Sequence, residues 1–362
     1  MRWLFGSVLG LFAIVVGRAG LEGWQLASPD QDFPSPPGVK RQIRGAYHVH
    51  SSASDGRRDV AEIALQAARA RLDFVILTDH NPTELPRPRR EQGVLLLFEQ
   101  ELSTPYGHVV ALGVSAPLRD SLTDQPIRDI QAAGGVALLA HPIQRRNPWR
   151  DVQAAQTADG LELISGDTDW RNALASPWAT LLPALGASVW GGQWGLMAMS
   201  RPDPGVREWL LGMSDERTRL SPCALDAHGW PSYEAAFRTW ANFLPRTSLP
   251  DDAEQAAREI LSEFRKGTTF CGVPSLAPPD GFAVFGSADG SLRVGEEVRL
   301  QIPAAPGWES RVDIHGAATW HGPTQTVRMT RPGLWLAEVW VRRAKRGGRW
   351  VPWIVASPVR VR

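Results

Sequence analysis

The apolar residues of this chain fall into short continuous runs that alternate with segments of helical periodicity. Residues 74–77, 94–98 and 136–140 are uninterrupted apolar runs, as expected for strands buried on both faces. Residues 59–71 carry apolar side chains at helical spacing, and residues 127–133 form a shorter helical pattern that two glycines end. The order of strand, helix and strand favours parallel strands with right-handed crossovers. The pattern therefore predicts an α/β fold for residues 45–279.

The pattern changes after residue 280. Short β-type runs at 298–302, 312–314, 334–340 and 353–355 are separated by Gly, Pro and charged turns. Such runs are typical of a small antiparallel sheet or sandwich. We therefore predict a separate, small all-β domain at 280–362.

The N-terminal segment is strongly apolar. Arg2 precedes an apolar run of about fifteen residues, which is the length of a signal-peptide core and short for a membrane span. A Pro-rich stretch at 34–37 follows and cannot continue a helix. We predict that residues 1–20 are a signal peptide or an N-terminal membrane anchor and that residues 21–44 are a linker; the alternative is a buried first helix. The protein is then expected to be exported, either periplasmic or anchored in the cell membrane.

Charge and cysteine content narrow the range of partners. The formal net charge is +1 over 362 residues, so no nucleic-acid or polyanion surface is expected. Two cysteines exclude a disulfide-rich scaffold and a Cys-x-x-Cys zinc site. Cys223 and Cys271 are either buried free thiols or a pair formed in an oxidising compartment.

Residues that bind metals stand near the ends of the predicted strands. His48 and His50 are two positions apart, so both rings point to one face if the backbone is extended. Asp55 follows in a Ser-Asp-Gly turn, and Asp79 and His80 end the run at 74–77. Imidazoles and carboxylates grouped at strand ends indicate a divalent-metal site. Asp79 points away from His80 on a strand, so we expect it to support the site from behind.

The motifs at 45–56, with His-Val-His and Ser-Asp-Gly, and Thr-Asp-His-Asn at 78–81 resemble those of the polymerase-and-histidinol-phosphatase (PHP) superfamily of metal-dependent hydrolases. The resemblance extends over residues 45–230 and takes in Glu-Leu-Ser at 101–103, Gly-His-Val-Val at 107–110, Ala-His-Pro at 140–142 and Asp-Ala-His at 226–228. It implies a distorted TIM-like (β/α)7 barrel. The position two before Glu101 is usually Gly in this pattern but is Glu99 here, so Glu99 competes with Glu101 as a ligand.

The resemblance implies nine metal ligands, six imidazoles and three carboxylates: His48, His50, Asp55, His80, Glu101, His108, His141, Asp226 and His228. Nine nitrogen and oxygen ligands are too many for one ion and suit two or three. The resemblance distributes them over three ions: His48, His50, Glu101 and Asp226; Asp55, His80 and His228; and Glu101 again with His108 and His141. This chemistry suits zinc, manganese or iron and does not choose between them.

The activity that the resemblance implies is hydrolysis of a small-molecule substrate by a metal-activated water, held by these same ligands. Phosphoesters are the superfamily's common substrates and are favoured. Residues 333–358 are similar to the end of the carbamate-hydrolase-like (CehA/McbA) branch, which implies carbamates, esters or amides as the alternative. A metal-stabilised cell-envelope binding protein is a further alternative, although the ligand pattern is complete. Arg145 and Arg146 follow Ala-His-Pro and are candidates for contact with an anionic substrate.

Overall fold

The computed structural model describes residues 2–27, 34–213, 217–285 and 292–362. Part of the predicted linker, at 28–33, lies outside the described residues. Single turns of π- or 3₁₀-helix occur at Pro177–Leu181, Ser188–Trp190 and Gly322–Thr324. The α-helices are α1 (Arg2–Leu26), α2 (Val60–Arg69), α3 (Pro126–Ala132), α4 (Val152–Ala155), α5 (Gly166–Leu174), α6 (Leu182–Ala187), α7 (Gly192–Met199), α8 (Pro204–Leu211), α9 (Tyr233–Phe237) and α10 (Ala253–Lys266).

The strands include every β run that the sequence predicted. They are β1 (Arg44–Val49), β2 (Phe74–Leu77), β3 (Arg89–Glu91), β4 (Val94–Phe98), β5 (Gln100–Thr104), β6 (Gly107–Leu112), β7 (Val136–Leu139), β8 (Gly160–Leu161), β9 (Ile164–Ser165), β10 (Cys223–Ala224), β11 (Ala241–Phe243), β12 (Phe270–Gly272), β13 (Ala283–Phe285), β14 (Glu297–Gln301), β15 (Trp308–Gly316), β16 (Ala318–His321), β17 (Thr326–Met329), β18 (Gly333–Arg343), β19 (Gly347–Ala356) and β20 (Val359–Val361).

The helix predicted at 59–71 is confirmed as α2, and α10 is a second helix with well-defined ends. Asp59 caps α2, because its carboxylate accepts a hydrogen bond from the backbone N–H of Glu62. Asp252 caps α10 in the same way through Gln255. Gly267 ends α10 in the left-handed conformation, which glycine adopts at little cost. Each helix buries one apolar face: that of α2 lies in one core cluster with Ala46 and Val75, and that of α10 in a second cluster with Tyr47 and Ile76.

The largest sheet has the order β15-β18-β19-β12-β11-β1-β2-β4-β3, with β20 paired to β18. Within it β1, β2 and β4 are parallel, as predicted, and helix α2 makes the crossover from β1 to β2. The next strands depart from that prediction, because β6 is antiparallel to both β5 and β7. β5 ends at Thr104 and β6 begins at Gly107, so a tight turn joins them and no crossover helix fits.

The closed (β/α)7 barrel is not confirmed. The strands of the described residues divide among four sheets, and β5-β6-β7-β8 and β9-β10 are separate from the main sheet. Isolated parallel bridges join these sheets, with Val49 opposite Ala227 and His80 opposite Glu101. These bridges lie at the candidate ligands, so the strand ends converge there without continuous pairing.

The C-terminal region is strand-rich, as predicted, but its strands divide between the main sheet and a sheet of their own. β19 pairs with β12, with Cys271 opposite Val355, and so extends the main sheet beyond residue 280. Trp335 and Trp353 are fully buried, and the indole Nε1 of Trp353 donates to the carbonyl of Ala277 at 2.9 Å. The remaining strands form a second sheet in the order β13-β14-β17-β16.

Helix α1 contacts the body through its C-terminal half. The side chain of Ala19 rests against Gly186 of α6, where any larger residue would collide. The predicted linker at 21–44 thus begins within this helix, which continues to Leu26. Among the described residues, no helix has the length and apolar character required to cross a membrane. Cys223 and Cys271 are both buried free thiols.

Candidate metal centre

The nine candidate ligands are brought together around Glu101, whose carboxylate is fully buried. Its Oε2 atom lies 3.2 Å from three imidazole nitrogens, those of His48, His50 and His80. Its Oε1 atom lies 2.9 Å from Nδ1 of His108 and 3.0 Å from Nε2 of His141. The two oxygens therefore face different groups of histidines, as a carboxylate that bridges ions would.

The first group consists of His48, His50, Glu101 and Asp226, all buried. The Nε2 atoms of His48 and His50 are 3.1 Å apart, so both rings aim at one point. Oδ1 of Asp226 lies 3.4 Å from the first of these nitrogens and 3.2 Å from the second. Two imidazoles and two carboxylates converge here at a spacing that a divalent ion would fill.

The second group lies nearer to solvent and is built around Asp55, whose side chain is 54% exposed. Oδ2 of Asp55 lies 3.3 Å from Nε2 of His228 and 3.7 Å from Nε2 of His80. Its Oδ1 lies 3.5 Å from Nδ1 of His50, which faces the first group through Nε2. Nδ1 of His228 is 2.8 Å from the backbone oxygen of Asp226 and donates to it. Because the proton is on Nδ1, Nε2 of His228 keeps its lone pair, and this nitrogen faces Asp55.

The third group contains His80, Glu101 and His108, with His141 beside them. The rings of His108 and His141 stand edge to face at a centroid distance of 5.1 Å. Asn147 lies 3.5 Å from the outer nitrogen of His108. Glu101, His50 and His80 thus each belong to two of the three groups.

Several buried polar atoms in the centre have no hydrogen-bond partner. They are Oε2 of Glu101 and the Nδ1 atoms of His50, His80 and His141. An unpaired buried polar group costs about 1–3 kcal/mol, and more when it is charged. Among them, Nδ1 of His80 and Oε2 of Glu101 lie 3.2 Å apart without hydrogen-bond geometry, as expected for two atoms that face the same cation. The residues present therefore fit bound divalent metal ions.

The backbone is strained at three of the ligands. His48, His141 and Asp226 have φ values of 62°, 30° and 49°, a region that non-glycine residues rarely adopt. The expectation of a regular extended strand at His48 is wrong, because the register of β1 against β2 shifts between Tyr47 and Val49. The bulge, rather than simple alternation, turns both imidazoles into the centre. Strain of this kind concentrates at functional sites.

The carboxylates and histidines shift one another's acidity. Burial raises the pKa of Glu101, but His48, His108 and His141 outweigh it and hold that pKa well below its usual range. Burial lowers the pKa of His50, yet the carboxylates of Asp226 and Glu101 raise it to about 9. The carboxylates therefore remain ionised and create a field that favours positive charge in the centre, whether protons or metal ions.

Sequence reasoning missed Glu162, which follows β8 and is buried. Its Oε1 lies 2.6 Å from Nδ1 of His48, and its Oε2 accepts a 2.7 Å hydrogen bond from the backbone N–H of His141. Glu162 thus fixes the ring orientation of one ligand and the position of another. A carboxylate inside the apolar run at 161–164 was the available signal, since a buried charge needs a partner.

Glu99 and Glu101, the two glutamates that the sequence offered as metal ligands, lie in different surroundings. Glu99 sits at the break between β4 and β5, and its Oε2 accepts a 2.6 Å hydrogen bond from the backbone N–H of Gly113. Burial raises the pKa of Glu99 to about 8. It belongs to none of the three ligand groups, whereas Glu101 belongs to two of them.

The expected supporting role of Asp79 is confirmed. Its Oδ1 accepts from the backbone N–H of Ser51 at 2.8 Å and from Oγ of Ser54 at 2.5 Å. Its Oδ2 accepts from Oγ of Ser51 at 2.7 Å. Asp79 thereby holds the turn that carries Asp55.

The candidate substrate residues Arg145 and Arg146 are exposed on the segment after His141, and neither forms a hydrogen bond or ion pair within the described residues. A different cation lies nearer to the ligands. Arg171 of α5 pairs with Asp167, and its pKa is raised by that bond and by the charges of Asp226 and Asp55.

A small cavity of about 40 Å³ adjoins the centre on this side. Its walls include Asp226 and His228 of the centre, Asp167, and the indoles of Trp170 and Trp230. It therefore offers an apolar surface directly beside two of the candidate ligands.

No family model and no curated protein matches the chain, and the two structures that follow are among the solved structures to which it is similar. One is a two-domain protein containing a predicted PHP-like metal-dependent phosphoesterase from Bacteroides vulgatus, with 14% identity, coverage of 90% of this chain and 91% of that one, and a TM-score of 0.45. The other is PsfC from Pseudomonas syringae, with 15% identity, coverage of 62% and 90%, and a TM-score of 0.36. The chemistry of the centre rests on its own residues.

Proposed function

We propose that this protein is a metal-dependent hydrolase that acts on phosphoesters and uses two or three ions of zinc, manganese or iron. The observation that carries the proposal is the position of Glu101, whose two carboxylate oxygens each face a separate set of imidazoles at 2.9–3.2 Å. A single ion needs only one such set. A buried carboxylate between two sets is the arrangement of a multi-ion hydrolytic centre.

Divalent ions bound here would polarise the scissile bond and acidify a water molecule. His48, His50, Glu101 and Asp226 would hold the buried ion, and Asp55, His80 and His228 the more exposed one. His108 and His141 would complete a third position with Glu101. Glu162 holds His48 with Nε2 directed into the centre, because its carboxylate accepts the Nδ1 proton.

The chain's own cations suit an anionic substrate. The guanidinium of Arg171 lies on the side of the centre that carries Asp167 and the cavity, and its side chain is partly exposed. We propose that it orients a phosphate oxygen at the entrance, since guanidinium pairs well with phosphate. Arg145 and Arg146 remain candidates for a more distant anionic group of the substrate. The walls formed by Trp170 and Trp230 would exclude water from the reacting bond.

We also propose a barrel-like arrangement of the strands, a role for the N-terminal segment and a division of the chain into two parts. The strand ends that converge at the isolated bridges are proposed to be a distorted barrel of the PHP type. Residues 1–20 are proposed to direct export or to anchor the protein, which would then work in the periplasm or at the cell membrane. Residues 45–279 would supply the whole metal centre, with 280–362 as its structural support.

The test is hydrolysis by full-length protein that has been stripped of metal and reconstituted separately with Zn²⁺, Mn²⁺ or Fe²⁺. The substrates are nitrophenyl phosphate, bis-nitrophenyl phosphate, nitrophenyl acetate and an aryl carbamate, with Asp226→Asn as the inactive control. We expect metal-dependent release of nitrophenol from the two phosphoesters. Faster turnover of the carbamate or the carboxyl ester would reassign the substrate class. Full metal occupancy without turnover of any substrate would contradict the hydrolase.

A further inference from the structure

A large apolar surface lies outside the metal centre. It is formed by α1 from Phe12 onward and by the segment 177–190, and we call it the apolar platform. Within it, Trp178 is 69% exposed and Val189 is 85% exposed. Leu185 and Trp190 are each 49% exposed. Soluble proteins rarely expose so many large apolar side chains side by side, so the platform needs an occupant.

The two parts of the platform form one continuous groove. It has a volume of about 680 Å³, and its walls are apolar side chains of both parts, including Phe12, Val16, Trp178, Leu182 and Val189. The segment 177–190 is therefore not an isolated apolar loop. It extends the apolar character of α1 across the surface of the folded body.

The exposure pattern of α1 identifies the kind of occupant. Phe12 is 66% exposed and Ile14 is 68% exposed. Residues two positions apart on a helix point to nearly opposite sides, because each residue turns the helix by about 100°. A second protein surface would cover one side only, whereas lipid chains surround a helix on all sides that face them. Exposed apolar side chains on opposite sides of α1 are therefore covered better by lipid chains than by one protein surface.

The border of the platform carries the residues that membrane proteins place at the lipid–water boundary. The guanidinium of Arg346 lies 4.6 Å from the ring centroid of Trp24 and donates to the backbone oxygen of Trp24 at 2.7 Å. Lys345 beside it is exposed, and the side chain of Arg18 is 69% exposed. Tryptophan and basic side chains are enriched at this boundary, and the positive charges complement anionic headgroups.

We propose that the apolar platform inserts into the surface of a lipid bilayer that contains anionic lipids, with residues 177–190 as a second contact beside α1. Trp178 and Val189 enter the acyl-chain region. Arg18, Lys345 and Arg346 contact the headgroups. The contact goes beyond an N-terminal anchor, because half of it comes from residues more than 150 positions later in the chain.

The platform is also connected to the metal centre through the chain. α5 begins at Gly166, carries Asp167 and Trp170 of the cavity, and leads directly into the turn at Pro177–Leu181. The ligand side chains themselves lie elsewhere. Variants of the platform should therefore bind metal normally, which separates this proposal from the proposed hydrolase activity.

The test is co-sedimentation of the full chain with vesicles of phosphatidylcholine, with and without phosphatidylglycerol. The variant is Trp178→Glu combined with Val189→Glu, both highly exposed. The matched control is Val152→Glu, because Val152 is 62% exposed but lies in α4, away from the platform. We expect the platform variant to lose roughly tenfold or more in vesicle partitioning, since charged side chains replace inserted apolar ones. Lys345→Gln should remove part of the preference for phosphatidylglycerol.

Three results would overturn the proposal. The first is equal partitioning of the platform variant and Val152→Glu, which would leave α1 as the whole contact. The second is no binding of the wild-type chain to either vesicle. The third is a dimer of the wild-type chain, measured by analytical ultracentrifugation, that the platform variant converts to monomer; it would assign the surface to a second copy. Unchanged metal content of each variant shows that the body remains folded.

Discussion

The carboxylate of Glu162 lies 2.6 Å from Nδ1 of His48, although the two residues are 114 positions apart in the chain. The same carboxylate accepts a hydrogen bond from the backbone N–H of His141. One buried group therefore positions two ligand-bearing strand ends. The pKa of His48 is raised well above its ordinary value, because Glu162, Glu101 and Asp226 together outweigh the effect of burial.

Glu162→Gln should weaken metal binding without removing a ligand. The amide cannot supply the charge that orients His48, so we expect affinity to fall roughly 10- to 100-fold. Competition with a chelator measures this directly. Glu338→Gln is the matched control, since Glu338 is equally buried but pairs with Arg207 in the C-terminal region. Equal affinities of the two variants would show that Glu162 has no positioning role.

Asp226→Asn and His228→Ala should lower metal content and abolish hydrolysis while the fold is kept. Both residues lie about 175 positions beyond His48 and His50, yet Asp226 lies within 3.4 Å of both imidazoles. Loss of a carboxylate ligand leaves neighbouring cations less compensated. Metal stoichiometry and turnover are compared with His315→Ala, a histidine outside the three ligand groups. If both variants kept full metal content and full turnover, Asp226 and His228 would not be ligands of the centre.

Stability should fall as pH rises through the titration of Glu99. Burial raises its folded-state pKa from 4.5 to about 8, so the folded chain holds a proton that the unfolded chain releases above its lower pKa. The stabilisation is complete below about pH 4.5 and is lost as pH rises to about 8, with a slope of up to about 1.4 kcal/mol per pH unit. Urea unfolding of wild type and Glu99→Gln across this pH range measures whether the unfolding free energy falls with pH in wild type only. Identical pH dependence of the two proteins would contradict it.

The C-terminal strands should unfold together with the rest of the protein. β19 continues the main sheet through β12, and Trp353 is fully buried against the carbonyl of Ala277. Trp353→Ala should therefore cost about 3–5 kcal/mol of unfolding free energy. The transition followed by circular dichroism should coincide with release of bound metal. A metal centre that survives after the C-terminal strands have melted would establish two independent units.

Local sequence rules predicted the elements well and the connections between them less well. The apolar run at 74–77 and the helical pattern at 59–71 needed only their own residues to be recognised. The bulge at His48 depends on the register of β1 against β2, and the partnership of Glu162 with His48 depends on contact across the fold. The junction of β19 with β12 is likewise a long-range pairing that no turn or spacing signals.

The same dependence on the fold explains why the sequence alone could not decide whether Glu99 or Glu101 is the ligand. Glu99 and Glu101 are two positions apart, so a continuous strand would have placed both carboxylates on one face. The break between β4 and β5 falls at Glu99 and separates them. Only the backbone path, which sequence spacing does not determine, distinguishes the ligand from its neighbour.

The most direct test of the account is the metal stoichiometry of wild type, Glu101→Gln and Glu99→Gln, each stripped and reconstituted with the metal that supports hydrolysis. Glu101 lies within 3.2 Å of five imidazoles, whereas Glu99 contacts the backbone of Gly113. We predict two or three ions per chain for wild type and Glu99→Gln. Glu101→Gln should lose at least one ion and hydrolyse orders of magnitude more slowly. Unchanged stoichiometry and turnover in Glu101→Gln, with loss of both in Glu99→Gln, would contradict the assignment of the centre.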